Sequence, residues 1–502
     1  MEQPKHQKTS VWNNKKFLIA AAVVILLCIA IIFCACRQIK IRDYHATYLI
    51  MDETEYRRDI TVLDFSGKAI SELHKLKELY NLQHLDLQNT GVTYTQVADL
   101  QAALPACQIL WSVPFQGNHL INTTEELVLE HLAESDFADL QYFPNLTSVN
   151  ADGCTDYAAL LALAAQYPDL AIRYKVTVGG ENYGNHTEEL TVTDPNINEL
   201  LEKLPLLPEV TTVHLEGSLP ENSSIVSLKE RFPAITFVWD FQIFGIDVNS
   251  LTTFIDLSRI VMKDTAELEA MLPCFYQLEQ VDMIDCGIKD ADMEALNQRH
   301  PGTKFVWRVN VNGVWVRTDA KFFMPYKHGM KKIAHLTNLK YCHDMVCIDL
   351  GHFGVWDFEF VEHMPNLRFL LLLDCDVSDL SSIAACTSIE FLELAQTPLR
   401  DYWLLTNLTN LKNLNISATP YSQKTQCCVG MNDNTPLYQM TFLDRLWYVR
   451  NYMDEEQCAL IREALPDTVV TLKTGGCTTC GWRYSPHYYE HRDILSMWYM
   501  VH

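Results

Sequence analysis

Positive charge is scarce in most of this sequence. The 502-residue chain has 39 Lys and Arg against 63 Asp and Glu. Seven of the cations and one of the acids fall within residues 1–42, which leaves 32 against 62, a net charge of −30, beyond that point. A body this acidic repels nucleic acid and anionic lipid, so nucleic acid is not expected as a partner. Catalytic signatures are missing too: there is no Gly-rich phosphate loop, H-E-x-x-H, G-x-S-x-G or paired-carboxylate pattern. No enzymatic activity and no cofactor are expected. An even set of cysteines is also lacking. Of the 16, Cys28, Cys34 and Cys36 lie in or at the end of an apolar run, and the remaining 13 cannot all pair. A disulfide framework is therefore not indicated.

Only one long apolar run is present, Phe17 to Cys36, with 20 residues and no charge. As a helix it spans about 30 Å, the thickness of the hydrocarbon layer. Lys5, Lys8, Lys15 and Lys16 precede it, and Arg37, Lys40 and Arg42 follow it. Charge alone favours a cytoplasmic N-terminus only weakly. The tail before the run has no apolar pattern, whereas everything foldable follows residue 42. This predicts a cytoplasmic tail over 1–16, a transmembrane signal anchor over 17–36 and a juxtamembrane segment over 37–58, with the C-terminal part outside the cell membrane. A cleaved signal peptide and lipidation of Cys36 are the alternatives.

What is abundant is one short pattern, L-x-x-L-x-L-x-x-[TCS]. It reads LQHLDLQNT from Leu82, LTSVNADGC from Leu146, VTTVHLEGS from Val210 and LEQVDMIDC from Leu278. It returns as LRFLLLLDC from Leu367, IEFLELAQT from Ile389 and LKNLNISAT from Leu411, the last three starting 22 residues apart. The L-x-L core predicts a short strand whose alternate residues point inward. One strand cannot bury its apolar side alone, so rungs must stack. The ninth position is Thr90, Cys154, Ser218, Cys286, Cys375, Thr397 or Thr419. It calls for a small buried side chain able to bond backbone groups at the corner.

A longer unit overlies the first half. Pro105–Trp111–Gly117, Pro168–Tyr174–Gly180, Pro233–Trp239–Gly245 and Pro301–Trp307–Gly313 share one frame, the prolines stepping by 63, 65 and 68. Pro stops a short helix, the aromatic sits inward on a strand, and Gly turns the chain. Ten residues after each of the first three glycines comes a further strand core, Leu127, Leu190 or Ile255. After Gly313 the next strand is expected only at Ile348. The intervening segment, about 314–345, is rich in Lys and Arg and reads as a basic contact point, a solvated loop or a rung too degenerate to recognise.

These segments resemble the leucine-rich-repeat family, specifically the 22-residue class of bacterial cell-surface proteins, over about residues 59–420. The Pro–Trp–Gly unit and the tail Gly481–Met500 look like members of the same group. The resemblance implies an α/β solenoid, curved, that binds partners and carries no catalytic residues. Two departures from the family pattern stand out: the corner residue is never Asn, and the longer unit is not uniformly spaced.

In that family the residues between the strand leucines face the concave side. Here they are Asp64, Asp86, Val128, Asn150, Thr191, His214, Asp256, Asp282, Asp349, Leu371, Glu393 and Asn415. Six of the twelve are acidic, which suits a basic protein surface, a polyamine-like group or a cation. Leu371 and Leu373 beside Phe369 are expected to form a small exposed apolar patch. In the C-terminal part, 421–502, Asp454 to Pro466 reads as one more repeat helix. The aromatic tail reads as a cap closing the end of the stack. Cys477, Cys480, His487 and His491 have zinc-ligand types at suggestive spacing. A local disulfide or free thiols are the alternative states of the two cysteines. The expected function is binding of an extracellular protein or glycan. A structural envelope protein and a small zinc-binding module remain alternatives.

Overall fold

The computed structural model describes residues 11–483, apart from 331, 332, 334, 423, 425, 426, 429, 431, 432, 474, 479 and 480. The side chains of residues 11–16 and of Lys327, His328 and Cys427 are likewise not described. The described residues divide into two compact units. One comprises the chain to Pro220 with Leu228–Thr236, the other Glu221–Ser227 with the chain from Phe237 onward.

The first unit opens with a helix, Val11–Thr47, of 37 residues. Its portion Phe17–Thr47 is long and apolar enough to cross a membrane, and its most apolar stretch is unburied. The helix does not end with the apolar run at Cys36 but continues to Thr47 and hands over to a hairpin, Tyr48–Met51 with Thr54–Arg57. Leu49 and Met51 on this hairpin are buried. Asp52 accepts hydrogen bonds from the Ser71 backbone and hydroxyl, and Lys75 Nζ donates to the Ile50 carbonyl at 3.0 Å. The segment expected as a juxtamembrane linker is thus partly a folded cover on the first rung. Leu73 and Leu76 of that rung would otherwise face water at the end of the stack.

The rungs are short parallel strands. In the first unit Val62–Asp64 pairs with His84–Leu87, which pairs with Gln108–Phe115. Glu126–Val128, Ser148–Asn150 and Ala171–Arg173 form a second set, and Glu189–Thr193 pairs with Thr212–Glu216. The central residues stack in register: Leu63 on Leu85 on Ile109, Leu127 on Val149 on Ile172, and Leu190 on Val213, all buried. Helices form the other wall. Tyr94–Ala103 begins in a capping box of Thr93 and Gln96, and Tyr157–Gln166 begins at Asp156, whose carboxylate accepts from the Ala159 N–H.

In the second unit Phe254–Asp256, Gln280–Asp282 and Lys304–Val306 repeat the arrangement. A seven-stranded parallel sheet then runs from Phe322–Phe323 through Cys347–Asp349, Phe369–Leu371, Phe391–Glu393, Asn413–Asn415 and Arg445–Trp447 to Val469–Thr471. Two expectations change here. Phe323 supplies the strand core ten residues after Gly313, so the supposed insertion holds a rung of its own. Its two-residue strand lacks the Leu pattern, which hid it. The ladder also runs past residue 420, with Arg445–Trp447 and Val469–Thr471 as further rungs and the helix Glu455–Ala464 between them.

Gly117, Gly180, Gly245 and Gly313 each sit at the tip of an antiparallel hairpin. Both turn residues have positive φ, for instance Asn312 at 51° and Gly313 at 90°. This is the turn whose twist matches the flanking strands. The aromatic column is buried, Trp111, Tyr174, Trp239 and Trp307 all being 3% exposed or less.

Candidate functional site

Alternation along each strand sends the middle residue into the core and its neighbours to the opposite face. That face holds every residue singled out as a candidate contact. On it, Asp64 stands beside Asp86, Val128 beside Asn150, and Thr191 beside His214 in the first unit. In the second unit Asp256 stands beside Asp282, and Asp349, Leu371, Glu393 and Asn415 follow one another in register.

Most of the acids and amides in this row have a local task. Asp64 accepts from the Ser66 N–H, Asp86 from Gln88, Asn150 from Asp152, Asp256 from Ser258, Asp349 from Gly351 and Asn415 from Ser417, all at 2.8–3.1 Å. Each side chain closes a turn two residues beyond the strand end, where a backbone donor would lack a partner. The hydroxyls of Ser66 and Ser258, and after them these backbone bonds, hold the Asp64 and Asp256 carboxyls below the ordinary carboxylate range. Asp349 goes the other way because burial disfavours its charge. Asp282 is buried and ion-paired with Arg317 at 2.9 Å.

The row divides by accessibility. Val128 is 73% and Val62 57% exposed. Asp64, Thr191 and Asp256 are exposed, and Asp86, Asn150, His214 and Asp349 half-buried. Leu371, Glu393 and Asn415 are buried, and so are Phe369 and Leu373. The expected exposed apolar patch is therefore absent, and those three rungs present no free surface. The cause is the chain itself: residues 476–478 and 481–483 lie across this face of the C-terminal ladder.

The contacts that hold this strap are specific. The Trp482 ring sits 5.0 Å from Phe391 and 6.4 Å from Trp447, centroid to centroid, and is fully buried. Its Nε1 donates to Glu393 Oε2 at 3.1 Å, while Arg483 donates to Glu393 Oε1 at 2.7 Å. From the ladder, Asn415 Nδ2 donates to the Cys477 carbonyl at 2.7 Å and Trp447 Nε1 to the Gly476 carbonyl at 2.9 Å. Arg445 donates to the Gly481 and Trp482 carbonyls and lies over both indole rings, 4.7 Å from that of Trp482. Burial pushes the Glu393 carboxyl up against the opposing pull of Arg483. Burial also pulls the Arg445 guanidinium down to about 10, still protonated at neutral pH. Trp482 thus covers the face of the sheet; the other tail aromatics expected to close its end, Tyr488, Tyr489, Trp498 and Tyr499, lie outside the described residues.

Cys477 is buried beside Leu373, Ala395 and Ala418 with its thiol pushed up by burial. Cys480, His487 and His491 lie outside the described residues. Among the described residues no three His, Cys, Asp or Glu side chains are grouped to hold a metal.

The corner cysteines do what the motif asks. Cys154, Cys286 and Cys375 place Sγ 3.5, 3.2 and 3.1 Å from the carbonyls of Leu129, Leu257 and Leu350 on the preceding rung. Ser218 departs from this, being exposed. A second polar column went unread in the sequence. Five residues after each hairpin glycine stands Asn122, Asn185, Ser250 or Thr318, all buried. Each accepts from the backbone N–H of the aromatic eleven residues before it, Trp111, Tyr174, Trp239 or Trp307. The recurrence of small polar residues at Gly plus five was the available signal.

No known protein family matches the sequence, and no curated protein does. Solved structures do match. One internalin of Listeria monocytogenes is 11% identical, over 84% of this chain and 90% of that one, with a TM-score of 0.23. A leucine-rich-repeat protein of Leptospira interrogans is 14% identical, over 82% and 96%, with a TM-score of 0.25. Internalin C2 of Listeria monocytogenes is 16% identical, over 30% and 73%, with a TM-score of 0.22. Scores this low do not carry the fold, which stands on the strand register described above.

Proposed function

We propose that this chain is a membrane-anchored, extracytoplasmic leucine-rich-repeat protein that binds a protein partner on the uncovered strand face of its first unit. The observation that carries the reading is the openness of this strand position in the first unit. In the first unit, outward strand residues stay open, and two of them, Val62 and Val128, are apolar and more than half exposed. Apolar groups set among Asp64, Asp86, Asn150 and His214 give a surface that is sticky yet acidic. It fits a partner with a basic rim and an apolar centre. The anchor reading rests on the uncharged run Phe17 to Cys36, with the tail 1–16 on the cytoplasmic side.

Two measurements test this. A photo-crosslinking residue at Val128 should trap a partner in intact cells, whereas the same residue at Ala102, on a helix, should not. Equal trapping at both positions, or none at Val128, refutes the assignment of the face. For topology, Glu181→Cys at an exposed hairpin should react with a membrane-impermeant maleimide on intact cells. Reaction only after lysis would place the domain on the other side.

A further inference from the structure

The strap over the C-terminal ladder is held in an unusual way for a permanent cap. No strand is assigned within its described residues, and the ladder beneath it offers side chains rather than a sheet edge. Three of those side chains, Asn415, Trp447 and Arg445, donate to four strap carbonyls, those of Gly476, Cys477, Gly481 and Trp482. Contacts to carbonyls hold a backbone without regard to its sequence, here a turned one in which the Arg483 N–H donates to the Thr478 carbonyl at 3.0 Å.

Sequence is read at three adjacent positions. Gly481 has φ of +133°, and a Cβ there would come within 2.5 Å of the Trp447 ring. Trp482 fills a slot walled by Phe391, Trp447 and the Arg445 guanidinium. Arg483 and the Trp482 N–H share the two oxygens of Glu393. A cover whose only task was to exclude water would be served better by apolar residues, because burying Glu393 and Arg445 costs desolvation energy. Polar groups that are costly to bury yet matched one-to-one to a ligand are what a recognition site contains.

We propose that this face, built from Phe391, Glu393, Asn415, Arg445 and Trp447, is a peptide-recognition site. It takes a turned segment carrying Gly-Trp-Arg, and the chain's own residues 476–478 and 481–483 are its exchangeable resident. The site is independent of the first-unit face and stands whether or not that face binds a partner. The resident shows the chemistry that an incoming protein segment must reproduce: glycine before tryptophan, a desolvated indole, then a guanidinium.

The test uses the full chain in detergent and a fluorescent peptide with the sequence of residues 476–483. The unaltered chain should bind the peptide weakly, because its own strap competes. Trp482→Ala with Arg483→Ala empties the slot but leaves the receiving side chains intact, and should raise the affinity at least tenfold. Adding Glu393→Gln should remove most of that gain, and a peptide with Ala in place of Trp should not bind. Arg483→Gln alone is the milder variant if the double one misfolds, and it should still raise peptide uptake several-fold. If folded double and single variants both fail to take up the peptide, or if the Trp-less peptide binds equally well, the proposal is overturned.

Discussion

Asn185 offers a sharp test of how the rungs are pinned. It is 6% exposed, its Oδ1 accepts from the Tyr174 N–H at 3.0 Å, and its Nδ2 donates to the Ile172 carbonyl at 2.9 Å. Asn185→Ala deprives two buried backbone groups of these partners. At about 1–3 kcal/mol for each unsatisfied group, the loss should be about 2–5 kcal/mol. The same column supplies its own control. At the equivalent position Ser250 Oγ accepts from the Trp239 N–H at 3.4 Å and donates to the Phe237 carbonyl at 3.0 Å. Asn185→Ser should therefore keep both bonds and cost about 1 kcal/mol, chiefly lost packing. Urea unfolding gives the magnitudes, and hydrogen exchange of the Tyr174 amide gives the location, since that proton should exchange faster in the Ala variant. Equal losses for Ala and Ser, or unchanged exchange at Tyr174, would refute the pinning role.

Three further outcomes follow from the strap and the corners. Glu393 has its folded pKa raised above the ordinary value of 4.5 by burial, so stability is lost as pH rises through the folded pKa. Arg483→Met removes the opposing charge and should cost about 3–5 kcal/mol at pH 8, less if the strap lifts away, and clearly less near pH 4.5. Urea midpoints at the two pH values check this, and a pH-independent loss counts against it. Gly481→Ala should free Trp482, seen as faster hydrogen exchange of its indole N–H, which is bonded to Glu393, in a chain that keeps Trp447; unchanged exchange would show that the ring of Trp447 yields. Cys342 and Cys375, both raised to about 12 by burial, should resist iodoacetamide at pH 8.5 until urea is added. Native labelling at the rate of a free thiol would mean that these rungs open.

Periodicity alone made the repeat legible. Leu85, Val149, Val213 and Val281 each needed a stacked neighbour because a lone short strand cannot bury its side chain, and each is buried against the rung it pairs with, at Leu63, Leu127, Leu190 and Ile255. The corner cysteines and the glycine turns were readable for the same reason: backbone geometry demands a small donor in one place and positive φ in the other. The candidate contact row was found by the same rule, because alternation puts it opposite the core.

What that row does was decided elsewhere. Asp and Asn recur there partly because each closes a turn two residues on, a local need that looks the same in sequence as a binding row. Glu393 and Asn415 occupy the same register position as Asp349, yet they are fully buried and Asp349 is only half-buried. The difference comes from Trp482 and Arg483 on Glu393, 89 and 90 residues further along the chain, and from Cys477 on Asn415, 62 residues further along. Sequence determined the ladder, since stacking depends on local spacing. Only the tertiary structure decided which part of its face is open, since that depends on a contact between residues with no periodic relation.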